Sequence, residues 1–182
     1  MTGLQSFSSE LCSLICQDPI LERLDLNSIC FISHAFRNEA QRELSYRFPC
    51  VRGSSRVKSW CLSLRSRPHI ALNVEGLVLL LPQPPALREE HIEYLTQALH
   101  MCVNLKELVV HFQEPHLRRP GVKTPNYSLS AHMLNGHPFK LTKFVNGYFS
   151  ENDRNLELTK FLTSQRKLES LELYSDRSSV YK

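Results

Sequence analysis

Leu105-Lys-Glu-Leu108, followed by Val109 and Val110, is the stretch that decides the fold of this chain. Its apolar residues suit a short buried strand. Three other stretches superimpose on it without gaps, namely Val74-Glu-Gly-Leu77, Leu141-Thr-Lys-Phe144 and Leu168-Glu-Ser-Leu171. The first apolar residues of the four cores are 31, 36 and 27 residues apart, a spacing at which each repeat supplies one strand and one helix or irregular return. We therefore predict an α/β fold with strands near residues 74–81, 105–112, 141–145 and 168–173.

The returns between these strands are of two kinds. Residues 89–101 and 158–162 carry apolar side chains at helical spacing, so both segments are predicted to be helices. The return from Pro115 to Pro138 holds four prolines and two glycines and is predicted to be an irregular loop. The last predicted strand ends close to the C-terminus with no element to cover it. This predicts a shortened repeat array, since arrays usually end in a capping element.

The first fifty residues carry a different pattern, that of short helices joined by tight corners. A serine at position 8 or 9 can cap the first helix, and Asp18-Pro19 is predicted to start a second short turn. Asp25 is predicted to cap a third segment, whose apolar residues recur every three or four positions until Pro49. Another helix is expected over residues 55–66. We predict a helical segment over residues 1–49 and a repeat domain over residues 54–182.

Positive charge is concentrated between residues 37 and 67, which carry a net charge of +6 in a chain whose total is +4. A basic stripe of this kind can bind nucleic-acid phosphates. The bases recur every four or five residues, with Phe36 just before the first of them and Leu44 and Phe48 between later ones. That spacing favours solvated helix faces. A nucleic-acid-associated protein is therefore kept as an alternative only.

Motifs for catalysis or cofactor binding are missing from the sequence. Cys30 and His34 are four residues apart and would share a helix face, but no third group is placed to orient the histidine. His111, Glu114 and His116 lack the H-E-x-x-H spacing of a zinc protease. The six cysteines form no C-x-x-C pair, and no glycine-rich phosphate loop occurs. We predict no enzymatic activity, no metal site and no cofactor.

Targeting features are also missing. The longest aliphatic run, Leu77 to Leu81, is far shorter than the ~20 apolar residues of a membrane-spanning helix. The first sixteen residues have neither a basic residue before the apolar ones nor a small-residue cleavage site after them. We predict no membrane association and a cytoplasmic or nuclear location.

Several motifs occur in a recognisable order. In the N-terminal half they are Ser9-Glu10-Leu11, Ile15, Asp25-Leu26, Ile29, Ile32-Ser33 and Phe36-Arg37. In the C-terminal half they are Trp60-Cys61-Leu62, Arg67-Pro68-His69, Pro138-Phe139-Lys140-Leu141 and the four cores. Together they resemble fungal F-box proteins, in which an F-box-like helical segment precedes a short, irregular leucine-rich-repeat solenoid of strands and helices. Phe7-Ser8 stands where that family has Leu-Pro.

The resemblance implies a non-catalytic substrate receptor of an SCF-type (cullin–RING) E3 ubiquitin ligase, acting in ubiquitin-dependent protein degradation. The N-terminal helices would bind a Skp-type adaptor, and the repeats would bind an unknown target protein. The residues implied for adaptor binding are Phe7, Glu10, Leu11, Leu14, Ile15, Leu24, Leu26, Ile32 and Phe36. The outward positions expected to face the target are Lys106, Glu107, Val109, Glu169, Ser170 and Glu172.

Two alternatives remain open besides nucleic-acid association. A leucine-rich-repeat binding protein uncoupled from the ligase is consistent with Phe7-Ser8 in place of Leu-Pro. The apolar residues of the N-terminal helices would also be explained if they pack on the first repeat, because small domains bury the apolar side chains they can.

Overall fold

The computed structural model of the chain describes residues 8–82, 89–112, 134, 136–149 and 156–175. It divides into two compact units, Met1–Pro49 and Cys50–Lys182, called here the helical unit and the sheet unit. In the described residues the first is built from helices alone, and the second combines helices with one five-stranded parallel sheet. The prediction of a mixed α/β fold is confirmed. The predicted irregular return from Pro115 to Pro138 lies almost entirely outside the described residues.

The helical unit contains α1 (Ser9–Cys16), α2 (Arg23–Ile29) and α3 (His34–Arg47). Serine caps begin two of these helices, since the hydroxyl of Ser8 accepts from the Leu11 N–H and that of Ser33 from the Phe36 N–H. Helices α1 and α2 both pack on α3. The buried residues of their shared core are Cys12, Cys16, Leu26, Phe36 and Ala40.

The corner between α1 and α2 differs from the sequence prediction. Asp18 and Pro19 do not start a helix, because the Asp18 carboxylate accepts from the Ile20 N–H at 2.9 Å and closes a local turn. Helix α2 begins only at Arg23, and Glu22 is its N-cap. Asp25 is the third residue of the helix and accepts from the Glu22 N–H at 2.9 Å, completing a capping box. The long apolar stripe that was predicted to start at Asp25 spans two helices, α2 and α3.

The sheet unit alternates strands with helices. Its strands run in the sequence order β1-β2-β3-β4-β5, and every neighbouring pair is parallel. The elements are β1 (Cys50–Arg52), α4 (Ser54–Ser66), α5 (Pro68–Ala71), β2 (Gly76–Leu81), α6 (Glu89–Met101), β3 (Glu107–Phe112), β4 (Lys143–Phe149), α7 (Leu156–Ser164) and β5 (Ser170–Ser175). Strand β1 is not in the sequence prediction, which left residues 50–53 between the two segments.

The strand register follows the alignment of the four apolar cores. Leu77 of β2 pairs with Leu108 of β3, Leu108 pairs with Phe144 of β4, and Phe144 pairs with Leu171 of β5. Equivalent residues of the repeated sequence therefore lie side by side across the sheet.

A turn recurs in front of the strands. The N–H of the first apolar residue of a core donates to the carbonyl three residues earlier at three places, Val74 to Ala71 (3.3 Å), Leu105 to Cys102 (3.2 Å) and Leu168 to Gln165 (3.1 Å). The Leu141 N–H donates instead to the buried side-chain oxygen of Gln165, at 2.8 Å. Strands β2 to β5 each begin two residues later than the sequence predicted, and at β2, β3 and β5 the first apolar residue belongs to this turn.

One face of the sheet is covered by helices. Its buried strand residues form a single core with side chains of α4, α6 and α7; on β2 and β3 they are Leu77, Leu79, Leu81, Leu108 and Val110. We call this the inner face. No helix in the described part of the chain is long and apolar enough to cross a bilayer.

Candidate interaction surfaces

Helix α1 buries its small side chains and exposes its large ones. Cys12 and Cys16 are completely buried and lie on the side that packs on α3. Leu11, Leu14 and Ile15 are exposed on the opposite side, and Glu10 is exposed with them. Helical spacing places these three aliphatic residues together, because residues three and four apart share a face. The result is an apolar stripe that nothing in the described residues covers.

The other residues implied for adaptor binding divide into two groups. Leu24 and Ile32 are exposed like the stripe on α1. Leu26 and Phe36 are buried in the core of the helical unit, so the prediction that they face a partner is corrected. Phe7 lies outside the described residues. We use the name aliphatic surface for the exposed leucine and isoleucine side chains of the helical unit together with Phe31: Leu11, Leu14, Ile15, Ile20, Leu24, Phe31 and Ile32.

Two members of the aliphatic surface were not found by sequence reasoning. Ile20 is 82% exposed and Phe31 is 84% exposed, the highest fractions among the large apolar residues that the structure describes. Both lie in turns, Ile20 between α1 and α2 and Phe31 between α2 and α3. Helical periodicity gives no information on turn residues. The only available indication was composition, an isoleucine and a phenylalanine at corners where polar residues are usual.

The second candidate surface is the outer face of the sheet, opposite the helices. Side chains alternate between the two faces of a strand. Val78, Val109 and Val145 are register partners on β2, β3 and β4 and form an apolar row across this face. Glu172 continues the row on β5, and Glu107 lies opposite Lys143 beside it. The row is half-buried at Val78 and Val109 and buried at Val145.

The six predicted target-binding residues are placed in two ways. Glu107, Val109, Ser170 and Glu172 lie at alternating strand positions and belong to the outer face. Lys106 and Glu169 lie one residue before β3 and β5. The ammonium of Lys106 is 2.7 Å from a carboxylate oxygen of Glu75, so it forms an ion pair at the start of the sheet.

The basic segment of residues 37–67 is divided between the two units, and several of its cations are engaged by groups of the same chain. Arg37 donates to the Cys30 carbonyl, Arg42 lies 2.6 Å from Glu39, and Lys58 lies 4.0 Å from Glu90. Arg47 is buried. The bases that remain exposed in the sheet unit are Arg52, Arg56, Arg65 and Arg67.

No family model, no curated protein and no solved structure matches the chain. The function therefore has to be inferred from the surfaces described above. These are an aliphatic surface on the helical unit and an apolar row bordered by charges on the outer face of the sheet.

Four of the six thiols are buried, those of Cys12, Cys16, Cys61 and Cys102, whereas Cys50 is exposed and Cys30 is half-buried. All six cysteines lie in the described residues and are free. Burial raises the pKa of Cys61 and of Cys102 to about 12, so both thiols are protonated at neutral pH. Cys30 follows α2 and His34 begins α3, so the expectation that they share a helix face is wrong. Within the described ranges no three His, Cys, Asp or Glu side chains are grouped to hold a metal ion.

Proposed function

We propose that the chain is a non-catalytic substrate receptor of an SCF-type cullin–RING ubiquitin ligase. In this proposal the helical unit is F-box-like and binds a Skp-type adaptor, and the sheet unit is a short leucine-rich-repeat array that binds a target protein. The protein acts in the cytoplasm or nucleus. The observation that carries the proposal is the aliphatic surface of the helical unit.

The packing of the helical unit supports a docking role. A small unit is stabilised by burying its largest apolar side chains, since each contributes roughly 1.5–3 kcal/mol when fully buried. Helix α1 does the opposite, because it buries two cysteines and exposes Leu11, Leu14 and Ile15. A contiguous apolar patch on a soluble protein usually marks a partner site. A partner that lays its own apolar helices on this stripe would supply the missing burial.

The repeat geometry supports the second half of the proposal. Equivalent core residues are paired across four strands, and the same turn precedes three of them. Stacked strand–helix units leave the strand face opposite the helices open for a partner. Here that face carries the apolar row of Val78, Val109 and Val145, with Glu107 and Lys143 beside it and Glu172 at its β5 end; Val78 and Val109 are half-buried and Val145 is buried. An apolar centre with a polar border is the usual organisation of a protein interface.

Adaptor binding is tested with purified protein and a purified fungal Skp-type adaptor. We expect the wild-type chain to form a complex, and Leu11→Arg and Ile15→Arg each to abolish it, because a charge would be buried against apolar side chains. Leu62→Arg is the matched control, since Leu62 is a 42% exposed leucine on α4 of the sheet unit. It should bind like the wild type. Circular dichroism and the melting temperature establish that each variant is folded.

Two results would contradict the proposal. Failure of the folded wild-type chain to bind the adaptor would favour the alternative of a repeat-based binding protein uncoupled from the ligase. Unchanged binding by Leu11→Arg and Ile15→Arg would show that the aliphatic surface is not the docking site.

A further inference from the structure

The corner between α1 and α2 is held by a buried arginine. Arg47, in the last turn of α3, is 6% exposed and is the one Lys or Arg that is buried among the residues the structure describes. Its guanidinium donates to three carbonyls of the corner, those of Asp18 (3.1 Å), Pro19 (3.4 Å) and Leu21 (2.9 Å). The same group lies over the ring of Phe48, 5.4 Å from its centroid. A single side chain therefore fixes the backbone on both sides of Ile20.

The corner also carries its own hydrogen bonds. The Ile20 N–H donates to the Asp18 carboxylate at 2.9 Å, and the Leu21 N–H donates to the Asp18 carbonyl at 3.1 Å. Leu21 packs against the core of the helical unit, whereas Ile20 is directed to solvent and is 82% exposed. Hydrogen bonds with the Arg47 side chain, the Asp18 side chain and the Asp18 carbonyl thus hold the backbone around Ile20, although the side chain of Ile20 is almost fully exposed.

Burying Arg47 at this corner has a free-energy cost, and a function of the corner would explain why it is maintained. Removing a guanidinium from water is unfavourable, and hydrogen bonds to carbonyls offset that cost only in part. A loop with no function can leave its carbonyls in water. A side chain that has to enter a partner's pocket gains from a fixed backbone, because less conformational entropy is lost on binding.

We propose that Ile20 is an anchor of the adaptor-binding surface and that Arg47 is a positioning residue that holds it. This inference rests on the proposed function, and it names a contact that helical periodicity does not indicate. Ile20 lies in the corner that connects the helix carrying Ile15 to the helix carrying Leu24, and its side chain is exposed like theirs. Arg47 acts from beneath this surface and does not touch the partner.

The anchor role is tested with Ile20→Asp and the same purified Skp-type adaptor. The dissociation constant should rise by about tenfold or more, as for the loss of a buried aliphatic anchor. The melting temperature should not change, because Ile20 is 82% exposed in the free chain. Leu72→Asp is the matched control, since Leu72 is a 49% exposed turn residue of the sheet unit. It should bind like the wild type.

The positioning role is tested with a double-mutant cycle. Arg47→Lys should weaken adaptor binding in the wild-type background and have no further effect in the Ile20→Ala background, because it acts through Ile20. A merely structural effect of Arg47→Lys would be the same in both backgrounds. Asp18→Ala is the second perturbation, since it removes the side-chain acceptor of the Ile20 N–H and leaves the buried cation in place. The same cycle applies to it if Arg47→Lys does not fold.

The outcomes separate the two proposals. If Leu11→Arg abolishes binding but Ile20→Asp binds like the wild type, the anchor role of Ile20 is refuted and the proposed function stands. If the effects of Arg47→Lys and Asp18→Ala persist in full in the Ile20→Ala background, the positioning role is refuted. If the folded wild-type chain binds no adaptor, both proposals fail.

Discussion

Asn146→Leu is expected to stabilise the protein. Asn146 lies on β4 and is only 3% exposed. Its register partners are Val110 on β3 and Leu173 on β5, and Leu79 occupies the next place in the same row of the inner face. The side-chain oxygen of Asn146 is buried and has no hydrogen-bond donor among the residues that the structure describes. An amide therefore occupies a place where the other repeats have aliphatic residues.

The size of the effect follows from the burial of that oxygen. A buried polar atom without a partner costs about 1–3 kcal/mol, and a leucine at this place removes that cost. Leucine is larger than asparagine, so it displaces neighbouring side chains where the core is already tightly packed. Such overpacking costs about 1–3 kcal/mol and offsets part or all of the gain. We expect a net increase of up to about 2 kcal/mol in the free energy of unfolding. For a chain of this length that corresponds to a rise of up to about 8 °C in the melting temperature.

The assay is equilibrium unfolding in urea. The midpoint should move to a higher urea concentration with the slope unchanged, which indicates a change in stability and not in the surface exposed. Asn104→Leu is the matched control, because the Asn104 amide is exposed and donates to the Leu72 carbonyl at 2.8 Å. It should lower the midpoint slightly. A loss of more than about 1 kcal/mol in Asn146→Leu would refute the reasoning, since it would mean that the amide is stabilised where it lies.

Two further predictions concern burial. Leu26→Ala should lower the free energy of unfolding by about 2–5 kcal/mol, whereas Leu24→Ala, two residues away and 74% exposed, should change it by less than about 0.5 kcal/mol. Urea unfolding of both variants measures this, and equal effects would contradict the assignment of Leu26 to the core. The second prediction is that the free energy of unfolding falls above about pH 9. Burial keeps the pKa of Cys61 and of Cys102 at about 12 in the folded chain. The unfolded chain releases both thiol protons above about pH 9, so rising pH favours unfolding. Replacing both by alanine should make the pH dependence of the unfolding free energy shallower by up to about 1.4 kcal/mol per pH unit for each thiol, and identical slopes would contradict it.

The strands could be predicted because their cores have a fixed spacing. In a parallel array the register is set by where each apolar core falls, so the alignment that pairs Leu108 with Leu77 and Phe144 is already present in the sequence. The first residue of each strand was predicted less accurately than the register. The first apolar residue of three cores, Val74, Leu105 and Leu141, is buried like a strand residue, yet all four cores begin before the strand does.

Strand β1 was missed for a different reason. It has only three residues, and Val51 is the one that is buried. A single buried residue defines no periodicity, and Pro49 and Gly53 on either side indicate a connection. Its identity as a strand depends on pairing with residues 78–80, which no local pattern reveals.

The candidate surface could be predicted only in part, because the helical unit is apolar on two sides. Helix α1 carries Cys12 and Cys16 on one side and three larger aliphatic residues on the other, and α2 carries buried Leu26 near exposed Leu24. A periodic pattern locates apolar stripes but does not say which of them faces the core. On α1 the structure places the smaller side chains, Cys12 and Cys16, in the core and leaves the larger ones outside.

The exposure of these larger side chains affects the stability of the helical unit. The fully buried residues of this unit are two cysteines, a leucine, a phenylalanine and an alanine, and the apolar side chains packed around them are only partly buried, so the unit gains less from burial than a larger core would. Its exposed leucines and isoleucines can contribute only when a partner removes them from water. A partner that binds the folded unit stabilises it in proportion to the logarithm of its concentration. If the proposed function is correct, the exposed side chains that weaken the isolated unit make its stability depend on the concentration of the adaptor, which a self-sufficient core would not do.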